Sequence, residues 1–202
     1  MNTSLKIAVS GAAGCGKTTM LKALQESEYI QSLNAEEPIE FIPEVVRHLK
    51  AQYGFKINEH GTWETEMMVM TTHLQNLIAR KRFISDRCLV DNFIYSTCSD
   101  NPPPWWYRLW NQKMVRTMVG KYDLIFFIPN EFMPPDDGVR NLDPFYWGMT
   151  KARFIEEYNT LRKMYPEVIV TISGTIPERV AKMEEAIRQT LERKAHEGAS
   201  QS

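Results

Sequence analysis

Five short apolar runs punctuate the chain, each leading into a longer stretch whose apolar residues recur every three or four positions. The runs lie at 5–10, 39–42, 83–85, 124–128 and 168–172; the first reads Leu5-Lys6-Ile7-Ala8-Val9-Ser10 and the fourth Leu124-Ile125-Phe126-Phe127-Ile128. Short runs rich in β-branched and aromatic residues predict strands covered on both faces, as in a parallel sheet. The intervening periodicity predicts helices at about 17–27, 44–53, 62–80, 88–98, 104–119, 146–164 and 177–195. Strands alternating with helices predict a doubly wound α/β domain. In such sheets ligands bind outside the C-terminal ends of the strands, so the residues just after each strand are the ones to inspect.

Two stretches interrupt the pattern. Asn101-Pro102-Pro103-Pro104-Trp105-Trp106 is stiffened by its prolines. Pro129 to Trp147 is long and rich in Pro, Asp and aromatics, which predicts a lid over about 129–147. The chain is read as one domain over 1–195, followed by a small polar tail at 196–202 that should fray.

Between the first strand and the first helix stands Gly11-Ala12-Ala13-Gly14-Cys15-Gly16-Lys17-Thr18, a complete G-x-x-x-x-G-K-[ST] phosphate-binding loop in the strand–turn–helix setting the motif requires. Its glycines let the backbone curl until successive N–H groups point at a phosphate, and the helix N-terminus adds partial positive charge. Gly11, Ala12, Ala13, Gly14, Cys15, Gly16, Lys17, Thr18 and Thr19 are the expected nucleotide-binding residues. Lys17 is expected to stand exposed and reach the β- and γ-phosphates of ATP, and Thr18 to offer its hydroxyl to Mg²⁺.

Composition narrows the setting. With 43% hydrophobic and 24% charged residues, an ordinary globular core is expected. The apolar runs are too short to span a membrane, and the polar N-terminus enters the first strand at once, so neither membrane insertion nor export is expected. Cys15, Cys88 and Cys98 form neither an even disulfide framework nor a metal-spaced set, which suits a reduced cytoplasmic location. Cys15 reads as a small loop residue. A net charge of −1 provides no general attraction to nucleic acid.

Charged residues gather at the strand ends. Pro43-Glu44-Val45-Val46-Arg47 follows the second strand, Asp86-Arg87 the third, and Asp136-Asp137-Gly138-Val139-Arg140 lies in the lid. Phosphoryl transfer uses such a set: a cation clamps the moving group, one carboxylate serves Mg²⁺, and another accepts the proton of the attacking hydroxyl. Each feature also has a plainer reading. Glu44 and Arg47 can form a first-turn surface pair, Asp86-Arg87 can cap the next helix, and Arg140 can be a solvated loop residue. Asp143 and Arg153 are weaker candidates.

Taken in order, the phosphate loop, Pro43-Glu44-x-x-Arg47, Asp86-Arg87 and Asp137-Gly138-Val139-Arg140 resemble the nucleoside and nucleotide kinase branch of P-loop proteins. The pattern is similar to the ATPase/kinase-like family that includes the ribosylnicotinamide kinase domain, and more distantly to thymidylate and deoxynucleoside kinases. The resemblance covers about residues 5–190. It implies a P-loop NTPase fold, with a five-stranded parallel sheet sandwiched by helices and a lid, and it implies ATP and Mg²⁺. It places Lys17, Glu44, Asp86, Arg87 and Arg140 in the catalytic set, with Glu44 or Asp86 as the base, Thr18 and Asp86 at the metal, and Arg47 beside the acceptor. The turn Ser173 to Arg179 would lie beside the adenine. The lid lacks an arginine-rich run, and the Pro-Pro-Pro-Trp-Trp segment has no counterpart in these kinases.

Trp105, Trp106 and Trp110, with Tyr107, form a concentration of flat side chains that either packs the interior or stacks on a nucleobase. Trp63, Met67, Met68 and Met70 lie on the earlier helix expected at about 62–80. Gln75, Asn76 and Asn92 can read a base edge, and His48, His60, His73 and His196 read as surface or core residues. The expected activity is transfer of the γ-phosphoryl of ATP to a hydroxyl on a nucleoside or nucleotide. One alternative acceptor is a hydroxymethylated base in DNA, as in viral kinases acting on 5-hydroxymethyluracil. The rival outside that class is a nucleotide-binding ATPase or switch that phosphorylates nothing.

Overall fold

Strand β1 (Leu5–Ser10) sits at the centre of the sheet because it is apolar on both faces; Leu5, Ile7, Ala8 and Val9 are fully buried. The computed structural model describes residues 4–55, 61–99, 101–130 and 143–199. After β1 come α1 (Lys17–Glu26), α2 (Glu28–Glu36), β2 (Glu40–Ile42), α3 (Val45–Tyr53), α4 (Trp63–Ala79), β3 (Arg82–Asp86) and α5 (Leu89–Thr97). The chain continues through α6 (Trp105–Val119), β4 (Leu124–Phe127), α7 (Pro144–Met164), β5 (Ile169–Thr171) and α8 (Ile176–Ala199). The strand order is β2-β3-β1-β4-β5, and every pairing is parallel.

Register distributes the side chains between two cores. Ala8, Phe83, Ile125 and Phe127 face one layer with Leu89 of α5, Val115 and Val119 of α6, and Phe154 and Tyr158 of α7. Ile7, Val9, Ile84, Leu124 and Phe126 face the other, with Met20 and Leu24 of α1, Ile30 of α2, and Met183 and Ile187 of α8. Alternate strand residues thus serve opposite helix layers, the reason the strands read as nearly continuous apolar runs. The fold is the expected α/β P-loop architecture. Among the described residues, no helix is long and apolar enough to cross a membrane.

Three boundaries differ from expectation. Helix α2 was not foreseen in the periodicity: it buries only Ile30 and is started by Ser27, whose Oγ accepts from the Ile30 N–H. A cap, rather than an apolar stripe, marks it. Helix α7 begins at Pro144, inside the expected lid, with the Asp143 side chain accepting the Phe145 N–H. Helix α8 runs through Ala199, past the expected tail boundary. Lys194 ties its end to the sheet by donating to the Ser4 carbonyl at 2.7 Å and pairing with Asp123.

Gly11 ends β1 with φ +148°, and a Cβ there would lie 2.4 Å from the Ile128 carbonyl oxygen. Gly16 has φ +88° but open space around it. Gly11→Ala therefore adds a backbone clash to dihedral strain of about 1–3 kcal/mol, whereas Gly16→Ala carries the strain alone. At about 2–4 °C per kcal/mol for a chain of this size, thermal melts should show the larger loss for Gly11→Ala. Equal losses would contradict the close approach.

Candidate functional site

The phosphate loop is braced before any phosphate contact is considered. Gly14 and Gly16 both have positive φ, which turns the backbone inward. The Ala13 N–H donates to the Tyr95 hydroxyl at 2.8 Å, and Asn130 Nδ2 donates to the Ala13 carbonyl at 2.9 Å. Lys17 is not exposed as expected. Its Nζ folds back to donate to the carbonyls of Gly11 (2.8 Å) and Ala12 (2.9 Å), leaving the side chain buried, with Cys15 Sγ 3.6 Å away. An ammonium without an anion takes the nearest carbonyl oxygens; exchanging them for phosphate oxygens requires only a swing of a flexible stem.

Asp86 ends β3 in the strand beside β1, so its carboxylate reaches the first residue after the lysine: Thr18 Oγ1 donates to Asp86 Oδ2 at 2.9 Å. Asp86 Oδ1 is buried and has no hydrogen-bond partner. Burial raises the Asp86 carboxyl above its ordinary value despite Arg87 and Lys17 nearby. Among the described residues no cluster of three or more His, Cys, Asp or Glu could hold a metal by itself. The Thr18 hydroxyl and the spare Asp86 oxygen fit Mg²⁺, which takes one or two protein oxygens and completes its shell with phosphate and water.

Next to this pair lies a charge network. Arg87 adopts φ +74°, the one non-glycine residue at positive φ among those described, and its N–H donates to the Val9 carbonyl at 2.9 Å. That turn sends the guanidinium inward, 5.1 Å above the Tyr95 ring, where Nε donates to Glu44 Oε1 at 2.7 Å and Nη1 lies 3.5 Å from Asp91. Glu44 Oε2 accepts from Arg47 Nε at 2.6 Å. Burial would raise the Glu44 carboxyl, but Arg87 and Arg47 override it and hold the group at about 2. The surface-pair reading of Glu44 and Arg47 is thus only half of the arrangement. Asp86 and Arg87 do not cap α5 either: the cap is Cys88, closed by Asp91, whose carboxylate accepts the Cys88 N–H at 3.0 Å and the Gly11 N–H at 3.3 Å.

These groups line one cavity of about 290 Å³. Its near end is Ala13, Gly14, Gly16, Lys17, Thr18 and Thr19; its middle is Glu44, Arg47, Asp86, Arg87 and Asp91. The far end comes from α4 and α5: Thr65, Glu66, Val69, His73 and Asn92, while Tyr95 of α5 stands beside the loop and Arg87. Asn92 Nδ2 donates to Glu66 Oε2 at 2.5 Å, and burial pushes the Glu66 carboxyl up to about 7. Burial pushes His73 down to about 4, so its imidazole is neutral at ordinary pH.

Glu66, His73, Asp91, Tyr95 and Asn130 are the site residues that sequence reasoning missed. A polar residue inside an otherwise apolar helix face was the available signal for Glu66, His73 and Asp91; nothing local marked Tyr95. Asn92 lines the cavity, whereas Gln75 and Asn76 do not. Trp105 and Trp106 are exposed on α6 at 71% and 51% and are not on the cavity wall, although Trp106 meets Trp63 edge-on at 6.4 Å. The turn 173–179 closes the start of α8, with Thr175 N–H donating to Glu178, and it too is off this wall. Arg153 pairs with Glu156 on α7. Arg140, Asp136 and Asp137, with most of the expected lid, lie outside the described residues.

Two carboxyls give opposite pH signatures. Glu44 is depressed from 4.5 to about 2, so its stabilisation is complete above pH 4.5 and disappears as pH falls towards 2. Glu66 is raised from 4.5 to about 7, so stability declines as pH climbs between those values. Thermal melts should therefore show that Glu66→Gln, which can still accept from Asn92, gains stability over the wild type at pH 8 but not at pH 4. Glu44→Gln should lose stability at pH 7 and flatten the acid limb. A Glu66→Gln effect that does not change with pH would contradict the assignment.

A family model described as an AAA domain matches residues 6–179. No curated protein sequence matches the chain. Among solved structures, the NadR protein in complex with NR superposes with a TM-score of 0.64 at 19% identity, covering 93% of this chain and 51% of that one. The chain thus spans about half the length of NadR. A thymidylate kinase from Candida albicans gives a TM-score of 0.59 at 14% identity, covering 93% and 92% of the two chains. A deoxyadenosine kinase from M. mycoides gives 0.50 at 15%, covering 94% and 99%. At these identities the likeness is one of fold. With the family model spanning most of its length, this chain belongs to the AAA domain family and carries the P-loop fold of the nucleoside and nucleotide kinases.

Proposed function

We propose that the protein is an ATP-dependent phosphotransferase that moves the γ-phosphoryl to a hydroxyl of a nucleoside or nucleotide. The observation that carries this reading is the cavity that runs from the phosphate loop, past the Glu44–Arg87 pair, to the polar end at Glu66 and Asn92. An ATPase or switch needs only the part lined by the phosphate loop, Thr18 and Asp86. A reducing cytoplasmic location goes with the reading, since all three cysteines are free and buried.

The loop N–H groups and Lys17 would hold the phosphates, with Thr18 and Asp86 at Mg²⁺, which supplies charge neutralisation on the phosphate oxygens when bound. The acceptor hydroxyl would lie against Glu44, with Arg47 and Arg87 close enough to meet charge on the moving group. Its oxygen forms the new bond to the γ-phosphorus as the bridging oxygen to ADP departs, and its proton passes to a carboxylate. Glu44 is ionised throughout the physiological range, but both its oxygens already accept from guanidinium groups, which makes it a weak base. A loose phosphoryl-transfer transition state asks little of a base, so positioning the hydroxyl is the larger part of its role. Asp86 is the more basic carboxylate, and its bond to Thr18 ties it to the metal side.

The test is an acceptor screen with γ-labelled ATP over nucleosides, nucleotides and DNA carrying normal or hydroxymethylated bases. Acceptor-dependent transfer supports the proposal; slow hydrolysis indifferent to every acceptor supports the switch. Lys17→Ala should abolish transfer while retaining a cooperative melt, because removing Nζ removes the phosphate contact along with two loop bonds. Glu44→Gln should lower turnover with ATP affinity nearly unchanged, because the acceptor hydroxyl loses the carboxylate that positions it. Normal turnover in that variant would move the proton-accepting role to Asp86.

A further inference from the structure

The far end of the cavity holds a polar pair for which the phosphate chemistry has no use. Glu66 on α4 and Asn92 on α5 are both more than nine-tenths buried, and both line the cavity. Asn92 commits its Nδ2 to Glu66 Oε2, and its Oδ1 accepts no hydrogen bond. No cation offsets the Glu66 charge: its surroundings act on it through burial and the Asn92 bond alone. The pair therefore holds two acceptors, the second Glu66 oxygen and Asn92 Oδ1; the Asn92 oxygen is covered in this structure, so a donor reaches it only when the amide turns towards the cavity. A buried acceptor without a donor is costly, so a ligand that supplies two N–H groups at one point is favoured.

We infer that Glu66 and Asn92 select acceptors bearing an exocyclic amino group on a planar ring, cytosine-type or adenine-type, over the corresponding oxo rings. One amino hydrogen goes to each oxygen. A ring carbonyl at the same place meets only acceptors while Glu66 is ionised. When Glu66 is protonated, its O–H can donate to a rotated Asn92 amide, which frees Nδ2; the pair then offers one donor and tolerates a carbonyl. Selectivity for the amino ring should accordingly rise with pH through the neutral range.

The other titratable groups around the pair do not imitate this behaviour. His73, on the same helix, is neutral well below the range. On α6, burial, with the Glu66 charge adding to it, pushes the Tyr107 phenol up to about 12. Glu44, just before α3, stays ionised, and Arg87 stays charged. Arg47 is a guanidinium. Asp86 and Asp91 sit towards the phosphate loop, bonded to Thr18 and to the Gly11 and Cys88 N–H groups.

This inference rests on the proposed nucleoside acceptor, and its test separates the two. Binding of cytidine, uridine, adenosine and inosine to the whole chain, saturated with a non-hydrolysable ATP analogue, is measured by calorimetry at pH 6 and pH 8, with transfer from ATP measured in parallel. The expected result is about tenfold or greater preference for each amino member at pH 8, a smaller preference at pH 6, and loss of that pH dependence in Glu66→Gln. Equal affinity for amino and oxo partners, a preference that is the same at both pH values, or an unaltered Glu66→Gln variant would overturn the inference. The wild-type comparison stands even if the variant fails to fold. Selective binding without transfer would uphold the inference and reject the kinase; transfer without selectivity would do the reverse. No nucleoside binding at all would remove both.

Discussion

The ion pair between Glu44 and Arg87 is the constraint on which the site depends. Arg87 is nearly buried, in a backbone conformation that side chains rarely adopt, and its charge is met by Glu44 and Asp91. Removing one partner of such a pair costs about 3–5 kcal/mol, because the other is left charged and dry. The pair also joins elements that are separate in sequence. Glu44 follows β2 and Arg87 follows β3, while the Arg87 guanidinium rests on Tyr95, whose hydroxyl accepts the Ala13 N–H of the phosphate loop. Asp91 reaches the same loop through Gly11. Two strands, α5 and the loop are thereby locked to one another at the sheet edge where ligands of α/β folds bind.

The strength of that lock explains a division among the carboxylates. Glu44 is held ionised by two arginines, Asp86 is raised by burial beside Thr18, and Glu66 is raised by burial with only Asn92 for company. Three acidic groups in one cavity thus differ in basicity because they differ in cationic neighbours. Environments that push like groups apart are typical of sites that assign them different tasks.

Much of this was legible in the sequence, for identifiable reasons. The strands could be read because burial on both faces leaves runs such as Leu124 to Ile128 almost without polar residues. The phosphate loop could be read because its geometry depends on glycine at fixed spacing, and Glu44, Asp86 and Arg87 because they lie at the C-terminal ends of strands. The far end of the cavity was hidden. Glu66, His73 and Asp91 lie on helices whose periodicity reports only that one face is buried, and whether that face meets a core or a cavity is decided by elements distant in sequence. Tyr95 is bound to the loop from 82 residues away. The tryptophans misled for the complementary reason: three in six residues suggested either a core or a platform in the site, yet they stand on an exposed face of α6.

The most direct measurement is a crystal structure of the chain with a non-hydrolysable ATP analogue and a nucleoside acceptor. The account predicts phosphates cradled by residues 11–18, the acceptor hydroxyl against Glu44 and Arg87, and the base directed to Glu66 and Asn92. A nucleoside seated on Trp105, Trp106 and Trp110, with none between Glu44 and Glu66, would contradict it.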